Sequence, residues 1–245
     1  MSAAPLRVRV VGRGRAGRSF AGALTSAGAD VELVEGRGAI SAAGAGVEVV
    51  LLCVPDAHVE AVARAIEPSD SVVAHVAGSL GCDVLLPHPR RGSLHPLAAL
   101  PDGEVGAARL SGGASYAVAG SEQVREVLTG LVALLGGHSF EVPDEHRAAY
   151  HASACIASNH LVGLLGQVER VAAQAGVPFE VFIDLVRGTV DNVALLGPAA
   201  ALTGPAARGD QATLDAHRRT LDPSELPAYE AMVEMCRRLA AGGTQ

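Results

Sequence analysis

The chain has 245 residues, with apolar residues at 49%, aromatics at only 3% and no tryptophan, so one large domain or two smaller ones must build a core from small side chains. A net charge of −7 without any basic run excludes nucleic acid as an expected partner. Four scattered cysteines (Cys53, Cys82, Cys155, Cys236) form neither a zinc pattern nor a disulfide framework, and with no eighteen-residue apolar run and no leader pattern a soluble cytoplasmic protein is expected, away from membranes.

The first element organises the rest. Val8, Val10 and Val11 read as a buried parallel strand, glycines follow at G-x-G-x-x-G spacing (Gly12, Gly14, Gly17), and a helical pattern begins with Phe20 and Leu24. Gly12 permits the tight turn, Gly14 lets backbone approach a pyrophosphate, and Gly17 lets the helix pack close to the strand. The helix N-terminus at Arg15 and Ala16 then offers free N–H groups and a positive dipole end. Gly28 stops the helix, and residues 29–35 read as a second strand ending in Glu35, about 20 residues past the glycines, where an acid meets the adenosine ribose. Arg37 is placed for a 2′-phosphate, and Arg13, Arg15 and Arg18 crowd the turn. NAD and NADP therefore both stay open, with a lean to NADP.

Residues 38–46 are too small and flexible for a helix and read as a short connection. Residues 47–54 form a strong buried strand stopped by Pro55-Asp56, with Asp56 expected to cap a helix carrying Val59, Val62, Ala63 and Ile66. Val54 and Pro55 fall at the carboxyl ends of the strands, where they are expected to flank the dinucleotide. Residues 71–79 form the next strand, and a short helix or loop at 82–86 leads to a strand over 87–96 with His95 at its end. A short strand at 116–120, an amphipathic helix at 121–135 and a strand at 138–142 close the sheet. Alternating strands and helices predict an α/β fold: a Rossmann-type, doubly wound and mostly parallel sheet over residues 1–143.

From 144 to 245 no strand pattern appears. Long helices are predicted at about 145–175, 179–195 and 224–241, a smaller all-helical domain for substrate and dimerisation. Its apolar residues occupy more than one helix face, which predicts a homodimer through this half.

Several polar residues stand out there. At α-helical phasing His151, Cys155, Ser158 and Asn159 share one stripe facing water or a polar cleft. Arg208 and Asp210 lie in a Gly/Pro-punctuated loop, with Thr213 and His217 on the helix it opens. Arg208 suits a carboxylate or pairs with Asp210. His95 either lines the cleft or stabilises its turn. His75, His88 and His95 lack a carboxylate or cysteine at ligand spacing, so no metal is expected. Ser79, Ser93 and Cys155 lack a nucleophile elbow or an ordered His-acid partner in sequence, so hydrolysis is not expected.

A Rossmann half followed by a helical half resembles the superfamily of 6-phosphogluconate and 3-hydroxyisobutyrate dehydrogenases, ketopantoate reductase and pyrroline-5-carboxylate reductase. Within it, residues 54–56, 75–78, 92–96, 150–153, 157–159 and 203–210 together are similar to a bacterial family of Rossmann-like proteins with a C-terminal domain of unknown function. Ketopantoate reductases carry Lys-x-x-x-Asn-x-x-x-Asn on the corresponding helix; His151 stands at the lysine, Cys155 at the first asparagine and Asn159 at the second. The resemblance implies an NAD(P)-dependent oxidoreductase acting on a small carboxylated keto or hydroxy acid, with 2-dehydropantoate as the nearest substrate. Arg208, with Ser158 and Asp210, is expected to bind the substrate, Asn159 to orient it, and His151 or His95 to supply the proton. A dinucleotide-binding regulator without turnover is the alternative, since fold does not imply activity.

Overall fold

The computed structural model describes residues 4–242, and the chain divides into two compact units, 1–158 and 159–245. The first is built on a seven-stranded sheet in the order β2-β1-β3-β4-β5-β6-β7. Its strands and helices follow in sequence as β1 (Arg7–Val11), α1 (Arg15–Ser26), β2 (Asp30–Val34), β3 (Val49–Leu52), α2 (Val59–Ala65), β4 (Val72–His75), β5 (Arg91–Pro96), α3 (Gly103–Leu110), β6 (Ser115–Gly120), α4 (Glu122–Leu134), β7 (His138–Glu141) and α5 (Arg147–Cys155). Strands β2 to β5 run parallel in the sheet, β6 is antiparallel to β5, and β7 is parallel to β6.

Side chains alternate across the buried strands with period two. Val8, Val10, Val49, Leu51, Val72 and Ala74 pack on one face against Phe20, Leu24 and Leu128 of α1 and α4. Val11, Val50, Leu52 and Val73 pack on the other, against Val59, Val62 and Ala63 of α2 and Ile66 just after it. The continuous apolar runs in β1, β3 and β4 are therefore those of strands buried on both faces.

Helix α3 has no counterpart in the sequence expectation. Its segment carries Gly103 and Gly106; a Cβ at Gly106 would meet the Ser19 side chain and one at Gly103 would lie 2.8 Å from Arg18 Cβ. The glycines let α3 pack closely on α1. Asp102 caps α3 by accepting a hydrogen bond from the Val105 N–H at 2.8 Å.

The second unit contains α6 (Leu161–Gln174), α7 (Ile183–Leu196), the single-turn helices α8 (Pro198–Ala201) and α9 (Pro205–Arg208), α10 (Gln211–Thr220) and α11 (Leu226–Ala240). The helix expected over 145–175 is broken into a 3-10 turn at Asp144–His146, α5, a π-helical turn at Ile156–His160 and α6. That π-helical turn interrupts the α-helical phase on which the expected stripe from His151 to Asn159 depended. None of the residues in α7 is buried, although Leu185, Val190, Val193, Leu195 and Leu196 are large and exposed, Leu195 to 80%. Among the described residues no helix is long and apolar enough to cross a membrane.

Candidate functional site: the carboxyl edge of the sheet

Backbone sterics make the glycine turn after β1 specific. Gly12 has φ +114°, and a Cβ there would sit 2.5 Å from the Cys53 carbonyl oxygen. A Cβ at Gly17 would run into the Gly12 carbonyl oxygen, so only glycine lets α1 start this close to the turn. Gly14 is different: nothing lies within 4 Å of the position a Cβ would take. It is the N-cap of α1 and supplies no capping side chain, so the first-turn N–H groups of Arg15, Ala16 and Gly17 are left for another acceptor.

The turn opens on a cavity of about 590 Å³ whose walls include Gly12, Gly14, Glu35, Arg37, Val54 and Pro55. Arg15, Ala16 and Gly17 lie beside it on the first turn of α1 rather than in its wall. Arg13 Nε lies 3.5 Å from Glu35 Oε1 while Arg37 is exposed, so the only carboxylate in this wall is matched by one guanidinium and accompanied by a second.

Strand register extends this edge to a second group of residues. Val11, Leu52, His75 and Ser93 are successive partners across β1, β3, β4 and β5. Gly12, the turn after β3, the turn after β4 and His95 therefore all emerge on one edge, and three strand spacings separate the first from the last by about 14 Å. At the β5 end, His95 Nδ1 lies 2.6 Å from Tyr150 Oη with the rings perpendicular, and the His151 ring centroid lies 6.2 Å from that of His95. A Cβ at Gly78 would sit 2.7 Å from both His95 Nε2 and His151 Cδ2, so a bare backbone is needed here too.

Arg147 fixes α5 over this group. It is only 2% exposed; its Nε donates to Asp144 Oδ1 at 2.8 Å and its Nη2 to Ser93 Oγ at 2.6 Å. Tyr150 and His151 follow one turn later. His75 is fully buried, with Nε2 against the Gly81 carbonyl at 3.2 Å. Arg147 Nη1 and His75 Nδ1 have no hydrogen-bond partner among the described residues. Burial, with the nearby His151 and Arg147, pushes the His95 pKa down to about 4, and burial does the same for His75. A pKa near 4 leaves the His95 imidazole uncharged at neutral pH, so a proton given there would come from the neutral ring.

Asp56 does not cap α2. A 3-10 turn, Asp56–His58, intervenes, and Asp56 Oδ2 instead accepts a hydrogen bond from Ser79 Oγ at 3.0 Å. Cys155 Sγ lies 3.9 Å from both ring nitrogens of His151, and Ser158 is exposed at the end of the first unit. Tyr150 and Arg147 are the site residues that sequence reasoning missed. The available signal was a tyrosine and a buried-face arginine one turn apart on an alanine-rich helix.

In the second unit Asn159 is the first residue, and Arg208 is exposed at the end of α9, before the left-handed Gly209. Asp210 caps α10, accepting from Thr213 N at 3.1 Å and Thr213 Oγ1 at 2.7 Å, bonds that hold its carboxyl below the usual carboxylate range. His217 Nδ1 lies 2.7 Å from Tyr229 Oη beside an apolar cavity of about 580 Å³ lined by Leu164, Val168, Val171, Phe182 and Leu221.

Two family models match the chain: residues 37–101 match a Rossmann-like domain, and residues 114–236 match a domain of unknown function, DUF2520. No curated protein sequence matches. Among solved structures, a candidate NADP oxidoreductase from Bacteroides fragilis is 18% identical with a TM-score of 0.82, covering 96% of this chain and 98% of that one. A protein from Thermotoga maritima is 25% identical with a TM-score of 0.75 over the same shares. A reductive aminase from Aspergillus terreus, solved with NADPH and ethyl levulinate, is 17% identical with a TM-score of 0.71, covering 98% of this chain and 96% of that one. These likenesses bear out the Rossmann-type fold followed by a helical region.

Proposed function

Because the chain belongs to the family defined by the DUF2520 domain of unknown function, here joined to a Rossmann-like half, we propose that it is an NADP(H)-dependent oxidoreductase acting on a small carboxylated keto acid. The observation that carries the reading is Gly14: an uncapped helix N-terminus whose missing side chain leaves open space beside a cavity of about 590 Å³. Backbone N–H groups at a helix start are a ready-made phosphate site. The NADP oxidoreductase assignment and the bound NADPH of the similar structures support the same cofactor.

In this reading Gly12, Gly14 and the first turn of α1, Arg15 to Gly17, hold the pyrophosphate. Glu35 meets the adenosine ribose, Arg37 the 2′-phosphate, and Val54 and Pro55 form the wall beneath the dinucleotide. A bound dihydronicotinamide supplies hydride. The chain supplies donors at the far end of the edge: His95, held neutral, is a hydrogen-bond donor to a developing oxyanion, and His151 stands beside it. Arg208 is assigned to the substrate carboxylate, Asn159 and Ser158 to its hydroxyl or carbonyl, and Asp210 to fixing the α9–α10 turn that presents Arg208. The apolar, unburied α7 supports a homodimer through the helical half.

A second reading, a dinucleotide-binding regulator without turnover, draws on the histidine and cysteine at the positions where ketopantoate reductases have lysine and asparagine. Both readings predict NADPH binding by calorimetry. Oxidation of NADPH by the purified protein with one of a panel of 2-oxo acids and cyclic imines supports the enzyme. Binding without turnover across the panel supports the regulator, and absence of binding contradicts both.

A further inference from the structure

The carboxyl edge holds one hydrogen-bonded pair of which the functional reading uses only His95. Tyr150 Oη and His95 Nδ1 are 2.6 Å apart, with the rings perpendicular at 5.5 Å between centroids. The other ring nitrogen, His95 Nε2, faces the backbone of Gly78, where a Cβ would lie 2.7 Å from it. The Tyr150 hydroxyl can donate to Nδ1 or accept from it, and in the tautomer where it donates the proton of the ring sits on Nε2. Glycine at 78 is what keeps the approach to Nε2 from being filled by the protein's own side chain. Arg147, anchored to Asp144 and Ser93, sets the position of the helix turn that carries Tyr150.

Resting on the oxidoreductase reading above, we propose that Tyr150 and His95 form a two-member proton relay, with Tyr150 donating to Nδ1 and the Nε2–H of His95 aimed at the reacting oxygen. As hydride from the dinucleotide reaches the carbonyl carbon, the C=O electron pair moves to oxygen. The Nε2–H bond breaks and an O–H bond forms on the product. The Tyr150 Oη–H bond breaks and Nδ1–H forms, so the imidazole is neutral before and after. The relay resets when a solvent proton adds to Nε2 and the Nδ1 proton returns to the tyrosinate oxygen, so one solvent proton is consumed per turnover, and the two electrons delivered leave the dinucleotide oxidised. His95 is the residue that touches substrate, and Tyr150 acts through it.

The groups facing His95 fit a relay through a neutral ring. Tyr150, His151 and Arg147 approach from α5, His75 from β4, and Asp56 from the turn before α2. Burial, His151 and Arg147 together outweigh Asp56 and hold the ring uncharged at neutral pH. A neutral ring needs a second group to replace the proton it gives up, and Tyr150 is in contact with the nitrogen that must receive it.

Nitrogen-15 NMR of histidine-labelled protein at pH 7 reads the tautomer without any turnover. The relay requires His95 with Nε2 protonated and Nδ1 shifted by an accepted hydrogen bond, a shift lost in Tyr150→Phe. With NADPH and the oxo-acid panel, Tyr150→Phe lowers turnover by about 10²-fold or more while NADPH affinity stays within about threefold. Gly78→Ala, whose Cβ would lie 2.7 Å from both His95 Nε2 and His151 Cδ2, displaces the ring and is expected to lower both turnover and the melting temperature, unlike Tyr150→Phe, which keeps the melting temperature. An Nδ1-protonated tautomer, a charged His95 at pH 7, or Tyr150→Phe turning over at the wild-type rate overturns the relay. Wild-type protein that binds no NADPH overturns the functional reading itself, which the calorimetric control shows separately.

Discussion

Substituting Gly14 by aspartate separates the folding role of the glycine turn from its binding role. At Gly14 a side chain meets nothing within 4 Å, and φ is −70°, ordinary for any residue. Aspartate at the N-cap accepts a first-turn N–H and complements the helix dipole, together a gain of about 0.5–1 kcal/mol over glycine. In a protein of this size that raises the melting temperature by roughly 1–4 °C. The same carboxylate would stand about 4 Å from a bound pyrophosphate. One unit of like charge at that distance near a protein surface costs about 4 kcal/mol, close to a thousandfold in affinity. Thermal melts and NADPH calorimetry on Gly14→Asp are thus expected to diverge: native or raised stability with binding lost. Gly17→Ala is the opposite control, because its Cβ runs into the Gly12 carbonyl, and it is expected to lose about 2 kcal/mol or more of stability. Gly14→Asp that melts like wild type and binds NADPH within threefold of it refutes the phosphate assignment.

Arg37→Ala is expected to weaken NADPH by roughly 10- to 100-fold, the worth of a charge-assisted phosphate bond, and to leave NADH affinity unchanged; equal losses for both count against a 2′-phosphate contact. His75, fully buried, has its folded pKa lowered to about 4 against an ordinary 6.5, so the unfolded chain takes up a proton first as pH falls. Stability from this residue is present at neutral pH and is lost from about pH 6.5 down to pH 4, by about 3 kcal/mol in all and about 2 by pH 5. Urea unfolding at pH 7 and pH 5 is expected to show the drop and His75→Gln to reduce it by about 2 kcal/mol, leaving the share of His95, whose pKa is lowered alike; a drop unchanged by His75→Gln contradicts it. Light scattering is expected to give twice the 24.8 kDa chain mass for wild type and a single chain mass for Leu195→Glu, whose charge falls on the unburied face of α7; a wild-type monomer at micromolar concentration rules out the dimer.

The parts of the fold legible in the sequence are those where local chemistry and tertiary packing agree. Val8, Val10 and Val11 are apolar because both faces of β1 are covered, and the three glycines after them stand where backbone contacts or open space require them. The reading failed where a residue type serves packing rather than its usual habit. Gly103 and Gly106 lie in a helix that the sequence expectation did not include, where they let α3 pack against α1, and Asp56 was expected as a cap but is engaged by Ser79 from the turn after β4. The pairing of His95 with Tyr150, 55 positions apart, has no local signature, because only the sheet order and the Arg147 anchor bring β5 and α5 together. The neutral state of His95 was invisible for the same reason, since it arises from burial and from neighbours on two other elements, α5 and β4.

The account stands on a dinucleotide lying along the carboxyl edge of the sheet. A crystal structure of the protein grown with NADPH tests it most directly. The account predicts the pyrophosphate on the N–H groups after Gly14 and the nicotinamide ring beside Gly78, within reach of His95. NADPH bound elsewhere on the molecule, or none bound at a saturating concentration, contradicts it.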